Sequence, residues 1–244
     1  MNIYDDLRHA LHSKNIVMDP TEDQVFDYGL YLIDKILQSS NKSLKDWPSM
    51  PLPQNDWVML VGNRLIIEQH SYDVDEQTDL AAQRIPTLNQ GQRAAFDAIL
   101  KAVEEKSGQT FFLHGPGGTG KTYMYNTLCY ALHGQGKIVL CVASSGIASL
   151  LLIGGRTAHS TFKIPIEIYE GSTCSIGKNS DLEKLIRVTD LVIWDEAPMQ
   201  DHHVHEAVDR IFRDILRCEH KPFGGLCVVF GGDLKQILPL IITC

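Results

Sequence analysis

The chain lacks the marks of several protein classes. Its six cysteines form no Cys-x-x-Cys pair and follow no metal-finger spacing, which excludes the common zinc scaffolds and gives no disulfide framework. Cys141 and Cys227 sit inside apolar, strand-like runs and read as buried thiols in a reducing compartment. No apolar stretch approaches the ~20 residues of a membrane-spanning helix. The first 30 residues carry Asp5, Asp6, Asp19, Glu22 and Asp23, the wrong charge for an export or mitochondrial leader. A soluble, intracellular protein is expected, with the nucleus as its compartment, although no compact Lys/Arg cluster marks an import signal. Internal repeats and low-complexity tracts are also missing.

Positive charge is scarce as well. The net charge is −8, but it is unevenly spread. Residues 1–86 hold 14 acids and 7 bases, a net of −7, and residues 87–244 hold 16 acids and 15 bases, a net of −1. The acidity thus belongs to an N-terminal segment. The remainder leaves room for a local basic groove, so charge neither supports nor excludes a nucleic-acid partner.

Two regions follow from this pattern. Residues 1–86 read as an N-terminal extension and linker, mostly helical or irregular. Asp23 to Leu37 has helical apolar spacing; Pro48, Pro51 and Pro53 then break regular structure, and an acidic stretch runs from Asp73 to Asp79. From residue 87 onward helix and strand patterns alternate, as in an α/β domain with a parallel sheet. Strands are expected at Thr110–Leu113, Ile138–Ala143, Leu191–Trp194 and Leu226–Phe230, each short and apolar as strands covered on both faces are. Helices are expected at Asn89–Glu105, Lys121–His133, Gly146–Leu152, Asp181–Ile186 and Val204–Arg217.

The run Gly115-Pro116-Gly117-Gly118-Thr119-Gly120-Lys121-Thr122 fits the phosphate-loop pattern at every fixed position. A strand-like run precedes it and a helix-compatible run follows. Glycines let several N–H groups face one anion, and the helix start adds its positive end. Lys121 would neutralise β- and γ-phosphates, and the Thr122 hydroxyl would bind Mg²⁺. Downstream, Leu191-Val192-Ile193-Trp194 ends in Asp195-Glu196, placing two carboxylates at the edge where parallel sheets bind ligands. Asp195 would hold the Mg²⁺ shell and Glu196 would act as general base on water. A third apolar strand ends in Gly231-Gly232-Asp233, followed by Gln236 and Pro239, and the Gln236 amide would feel the γ-phosphate. Upstream, Gln92 has the donor and acceptor needed to read an adenine edge. Between the loop and the acids, Ser144-Ser145-Gly146 and the run Gly154 to Phe162 offer small hydroxyls, His159 and the aromatic Phe162. These suit a nucleic-acid strand, or equally a polar loop with one packed aromatic. His202 and His205 could share a helix face as metal ligands, but no third ligand type stands nearby, so a polar helix start is the better account.

Six ordered blocks between Leu88 and Pro239 resemble the first motor domain of Pif-one-like DNA helicases of superfamily one, in the form found in Helitron-type mobile elements. The resemblance implies a RecA-like phosphate-loop NTPase fold and ATP-driven movement along single-stranded DNA, 5′ to 3′. It implies that the Gly231 strand lies between the phosphate-loop strand and the Asp195 strand. It casts Gln92 as adenine reader, Gln236 as γ-phosphate sensor, and Ser145, His159 and Phe162 as DNA contacts. The sequence stops five residues after Pro239, so the family's second motor lobe and its arginine fingers are expected to be missing, with weak hydrolysis and no unwinding by this span alone. A second lobe or an intact helicase would then be a partner, beside single-stranded DNA; no membrane is expected. Two other readings compete: another phosphate-loop enzyme, such as a nucleotide kinase or clamp-loader-like ATPase, and a regulatory module that binds nucleotide without turnover. No arginine-rich lid favours a kinase.

Overall fold

The computed structural model describes residues 3–13, 20–38, 40, 42–55, 57 and 62–236. Ile237, Leu238 and Pro239 of the third motif lie outside them. The chain divides into two compact units, Met1–Ile67 and Glu68–Cys244. The compositional break at residue 86 therefore falls inside the second unit.

The first unit has a core of its own. Helices α1 (Ile3–Ser13) and α2 (Glu22–Gln38) contribute Leu11, Val25, Tyr28 and Tyr31, which bury around Trp57. The Asp27 carboxylate accepts hydrogen bonds from the N–H groups of Gln54 and Asn55, from Asn55 Nδ2 and from Trp57 Nε1, at 2.7–2.9 Å. Burial opposes the ionised form, and these donors outweigh it, holding the carboxyl below its ordinary range. One acid thus fixes the proline-rich stretch that sequence left irregular. A short helix, α3 (Arg64–Gln69), follows.

In the second unit the acidic run 73–79 opens a helix. Asp73 caps helix α4 (Val74–Arg84), accepting from the N–H groups of Asp75 and Glu76, and the next acids sit in the first turn. That is where the helix dipole favours them. Helix α4 packs on α6 (Lys121–His133), the helix that leaves the phosphate loop. The Arg84 guanidinium lies over the rings of Tyr123 and Tyr130, 4.6 and 5.0 Å from their centroids.

Five parallel strands form one sheet: β1 (Thr110–His114), β2 (Val139–Ala143), β3 (Arg156–Thr157), β4 (Leu191–Asp195) and β5 (Cys227–Gly232), in the order β1-β5-β4-β2-β3. The two-residue strand β3 was too short for the sequence pattern to mark. Alternate residues face opposite layers, as the pleat dictates. Val139, Cys141, Ile193 and Val229 pack with Phe96 and Ile99 of α5 (Gln90–Glu104) and with Met124 and Leu128 of α6. Trp194 and Phe230 face the other way, among Phe162, His205 and Phe223. Helices α7 (Gly146–Ser149), α8 (Ala158–Phe162), α9 (Asp181–Val188) and α10 (His202–Leu216) complete the unit. Cys129, Cys141, Cys174 and Cys227 are buried free thiols.

Candidate nucleotide site

The carboxyl ends of β1, β5 and β4 lie side by side, so their exits meet. Leu113 pairs with Gly231, His114 with Gly232, and Trp194 with Phe230. The residue after each strand is therefore delivered to one edge of the sheet. The Gly231 strand does run between the loop strand and the acid strand.

The loop leaves β1 at Gly115, whose N–H donates to the Gly232 carbonyl at 3.3 Å. Gly118 and Gly120 take left-handed φ of 80° and 82°, which only glycine adopts freely. A Cβ at Gly117 or Gly118 would meet no atom of the described residues within 4 Å, so among them nothing covers the loop main chain. The Lys121 ammonium donates to the carbonyls of Gly115 and Pro116, at 2.6 and 3.3 Å, and so lies folded along the loop. Thr122, the next residue of α6, is partly buried.

Asp195 is 5% exposed. Burial raises its carboxyl above the ordinary range, against the opposing pull of the Glu196 N–H and the Lys121 charge. Glu196 is raised by burial and then by Asp195, with Lys121 opposing and Asp233 adding. Lys121, Asp195 and Glu196 are thus within electrostatic reach of one another. Buried acids held against their charge are receptive to a cation. Asp233, the acid that closes the third apolar strand, is also buried. The Ser144 hydroxyl, which sequence left open between a nucleic-acid contact and a polar loop, donates to the Glu196 carbonyl.

The remaining residues divide. Gln92 reaches the loop: Nε2 donates to the Thr119 carbonyl at 3.0 Å, and Oε1 accepts from the Asn89 N–H in the cap of α5. An amide has two donors and two acceptor lone pairs, so one of each is left over. Gln236 ends a short 3₁₀ turn after β5; it is exposed, and its N–H donates to the Asp233 carbonyl. Ser145 caps α7, accepting from the Ala148 N–H, and is exposed. His159 is half-buried, its Nδ1 3.4 Å from Gln200 Nε2, and Gln200 Oε1 accepts from Trp194 Nε1. Phe162 requires correction as a base-stacking residue. It is 0% exposed and packs between Trp194 and Phe212, leaving no ring face open. Its apolar neighbours come from elements distant in sequence, so nothing local disclosed this.

The histidines also separate. The ring of His205 packs on Trp194 and Phe230, away from a shared face with His202. Asp201, His202 and His203 bring ligand atoms within 4.8 Å of one another. Asp201, however, already caps α10 through the His203 N–H and meets His203 Nδ1 at 2.7 Å.

A glycine loop between a strand and a helix, with a lysine in electrostatic reach of two acids that close a parallel strand two places away in the sheet, defines a RecA-like phosphate-loop domain. Residues 87–244 match the family model for PIF1-like helicase. The chain belongs to this family. It is similar to the ATP-dependent DNA helicase PIF4 of Trypanosoma brucei brucei, 31% identical over 64% of this chain and 19% of that protein. It is likewise 28% identical to the human ATP-dependent DNA helicase PIF1, over 64% of this chain and 23% of that one. A solved structure of two coordinating Pif1 helicases at forked duplex DNA shares the fold, with a TM-score of 0.52 at 28% identity, covering 63% of this chain and 35% of that one. Pif1 from Bacteroides in complex with ADP-AlF3 and single-stranded DNA gives a TM-score of 0.50 at 28% identity, over 60% of this chain and 33% of that chain. The chain spans about a fifth of the length of these two curated relatives. Among the described residues, no helix is long and apolar enough to cross a membrane.

Proposed function

We propose that residues 87–244 form the ATP-binding first motor lobe of a DNA helicase that moves 5′ to 3′ on single-stranded DNA, in an intracellular, nuclear setting. The convergence of Lys121, Asp195 and Glu196 on an open glycine loop carries the reading. The uncovered main chain at Gly117 and Gly118 and the buried Asp195 carboxyl fit a magnesium–nucleotide complex.

In this scheme Lys121 exchanges its loop carbonyls for β- and γ-phosphate oxygens. Thr122 and Asp195 hold Mg²⁺, which neutralises charge on those oxygens when bound. Glu196 takes the proton of the attacking water, and its raised pKa moves it toward the range where a base works best. Gln236 reports the γ-phosphate. Gln92 uses its spare donor and acceptor on adenine. Ser145 and His159 face the DNA; Phe162 supports them from the core. A second lobe supplies the cation that stabilises the transferring phosphoryl, an effect of ~10³–10⁵ in rate.

Fluorescent-ATP binding measured beside phosphate release tests this. Lys121→Ala is expected to abolish nucleotide binding, and Glu196→Gln to keep binding and remove release. Tight wild-type binding with no release, even with single-stranded DNA and a second lobe supplied, would instead make the domain a nucleotide-binding regulatory module.

A further inference from the structure

One buried group of the motor lobe has no part in this scheme. Tyr125 lies three residues after Thr122 on α6 and is 0% exposed. Its hydroxyl has no hydrogen-bond partner among the described residues. The hydroxyl fills the space that a Cβ on Gly231 would need, and that same point is 3.1 Å from Asp195 Oδ1. The phenol and the Asp195 carboxylate therefore crowd over one glycine of β5.

A phenylalanine would fill this volume without burying an unpaired polar atom, which costs about 1–3 kcal/mol. The tyrosine stays protonated, because burial and then the charges of Asp195 and Glu196 oppose the phenolate. It is thus a donor at neutral pH. The acceptor that shares its space is Asp195, whose Oδ1 takes, among the described residues, only the Glu196 N–H, at 3.0 Å. A carboxylate oxygen has room for a second donor. Carboxylates that bind metal by one edge are held by hydrogen bonds at the other, and loss of such a partner typically weakens metal affinity ~10–100-fold.

We infer that Tyr125 is a positioning residue for Asp195: its hydroxyl donates to that carboxylate, directly or through one water, and fixes the edge presented to a divalent cation. The inference rests on the reading of Asp195 as a magnesium-holding group. It gives a role to a residue that lies outside the phosphate-loop pattern and outside the acid pair.

The test is equilibrium binding of a fluorescent ATP analogue to the full chain at rising Mg²⁺. Tyr125→Phe is expected to raise the Mg²⁺ midpoint about tenfold and to leave binding in EDTA unchanged. In an Asp195→Asn background the Phe substitution is expected to move the midpoint no further. Should the Phe variant not fold, Tyr125→Met removes the same hydroxyl, and the same shift is expected. A midpoint within twofold of wild type, or an equal shift in the Asp195→Asn background, overturns the role of Tyr125 alone. Wild-type binding with no Mg²⁺ dependence overturns the magnesium reading and this inference with it.

Discussion

The hydroxyl of Ser144 donates to the main-chain carbonyl of Glu196 at 2.5 Å, and the Ser144 N–H donates to the Asp195 carbonyl at 3.2 Å. These bonds tie the end of β2 to the acid pair. Glu196 holds left-handed backbone angles, φ 53° and ψ 32°. A residue with a side chain keeps such angles only where its surroundings impose them, at about 1–3 kcal/mol.

Ser144→Ala removes the side-chain half of this tie. It is expected to lower stability by about 1 kcal/mol, read from urea unfolding. Phosphate release is expected to fall further than nucleotide affinity, because the substitution frees the base rather than the loop. Equal losses in both would show that the tie serves the fold alone.

Phe162 separates a core role from a nucleic-acid role. Phe162→Ala is expected to cost about 3–5 kcal/mol, with Phe162→Leu much milder. A base-stacking residue would behave in the opposite way, losing single-stranded DNA affinity at unchanged stability. Chemical denaturation and fluorescence anisotropy on the same variants decide between them.

His133 sets an acid dependence. The ring is 3% exposed, stacks on Tyr72 with centroids 4.1 Å apart, and makes no hydrogen bond at either nitrogen among the described residues. Burial lowers its pKa to about 4. The unfolded chain therefore binds the extra proton first as pH falls. Stability is full above about pH 6.5 and is lost on descending toward pH 4, by about 3 kcal/mol from this group. His133→Phe keeps the stack and is expected to flatten that part of the stability–pH curve. An unchanged slope between pH 6.5 and 4 would refute this account.

Arg84 tests whether α4 belongs to the phosphate-loop domain. The residue precedes the span matched by the family model, yet its guanidinium covers Tyr123 and Tyr130 on the helix behind the phosphate loop. Arg84→Ala is expected to cost about 1–2 kcal/mol. In a double-mutant cycle with Tyr123→Leu, a coupling energy near zero would remove the stacking from the account.

In the first unit, Asp27→Asn replaces a carboxylate that accepts four hydrogen bonds. A loss of about 3 kcal/mol is expected. The Asp27 pKa is depressed in the folded state, so its contribution is complete above the ordinary aspartate range and disappears as pH falls through the folded value. Hydrogen exchange confined to residues 20–57 reads this separately from the phosphate-loop domain. Protection unchanged in the variant would assign that unit's stability to its apolar core instead.

The nucleotide site was legible in sequence because its rules are local. Glycines at fixed spacing, a Lys-Thr pair at a helix start and two acids closing an apolar run each specify their backbone shape within a few residues. The strands β1, β2, β4 and β5 announced themselves in the same way, through short runs of branched and aromatic residues. The acidic stretch 73–79 left helix and linker open, because acids suit both a solvated linker and a first helical turn, and packing on α6 selects the helix.

Sequence by itself nominated the residues proposed for phosphate-binding and acid–base chemistry, since those depend on side-chain type and near-neighbour spacing. Tertiary structure alone decided which of them meet. Strand pairing set Gly231 beside Asp195, burial closed Phe162 away from any base, and the crowded glycine brought the Tyr125 phenol to the acid. Each is a contact between segments far apart along the chain, fixed by how sheet and helices pack rather than by the order of residues.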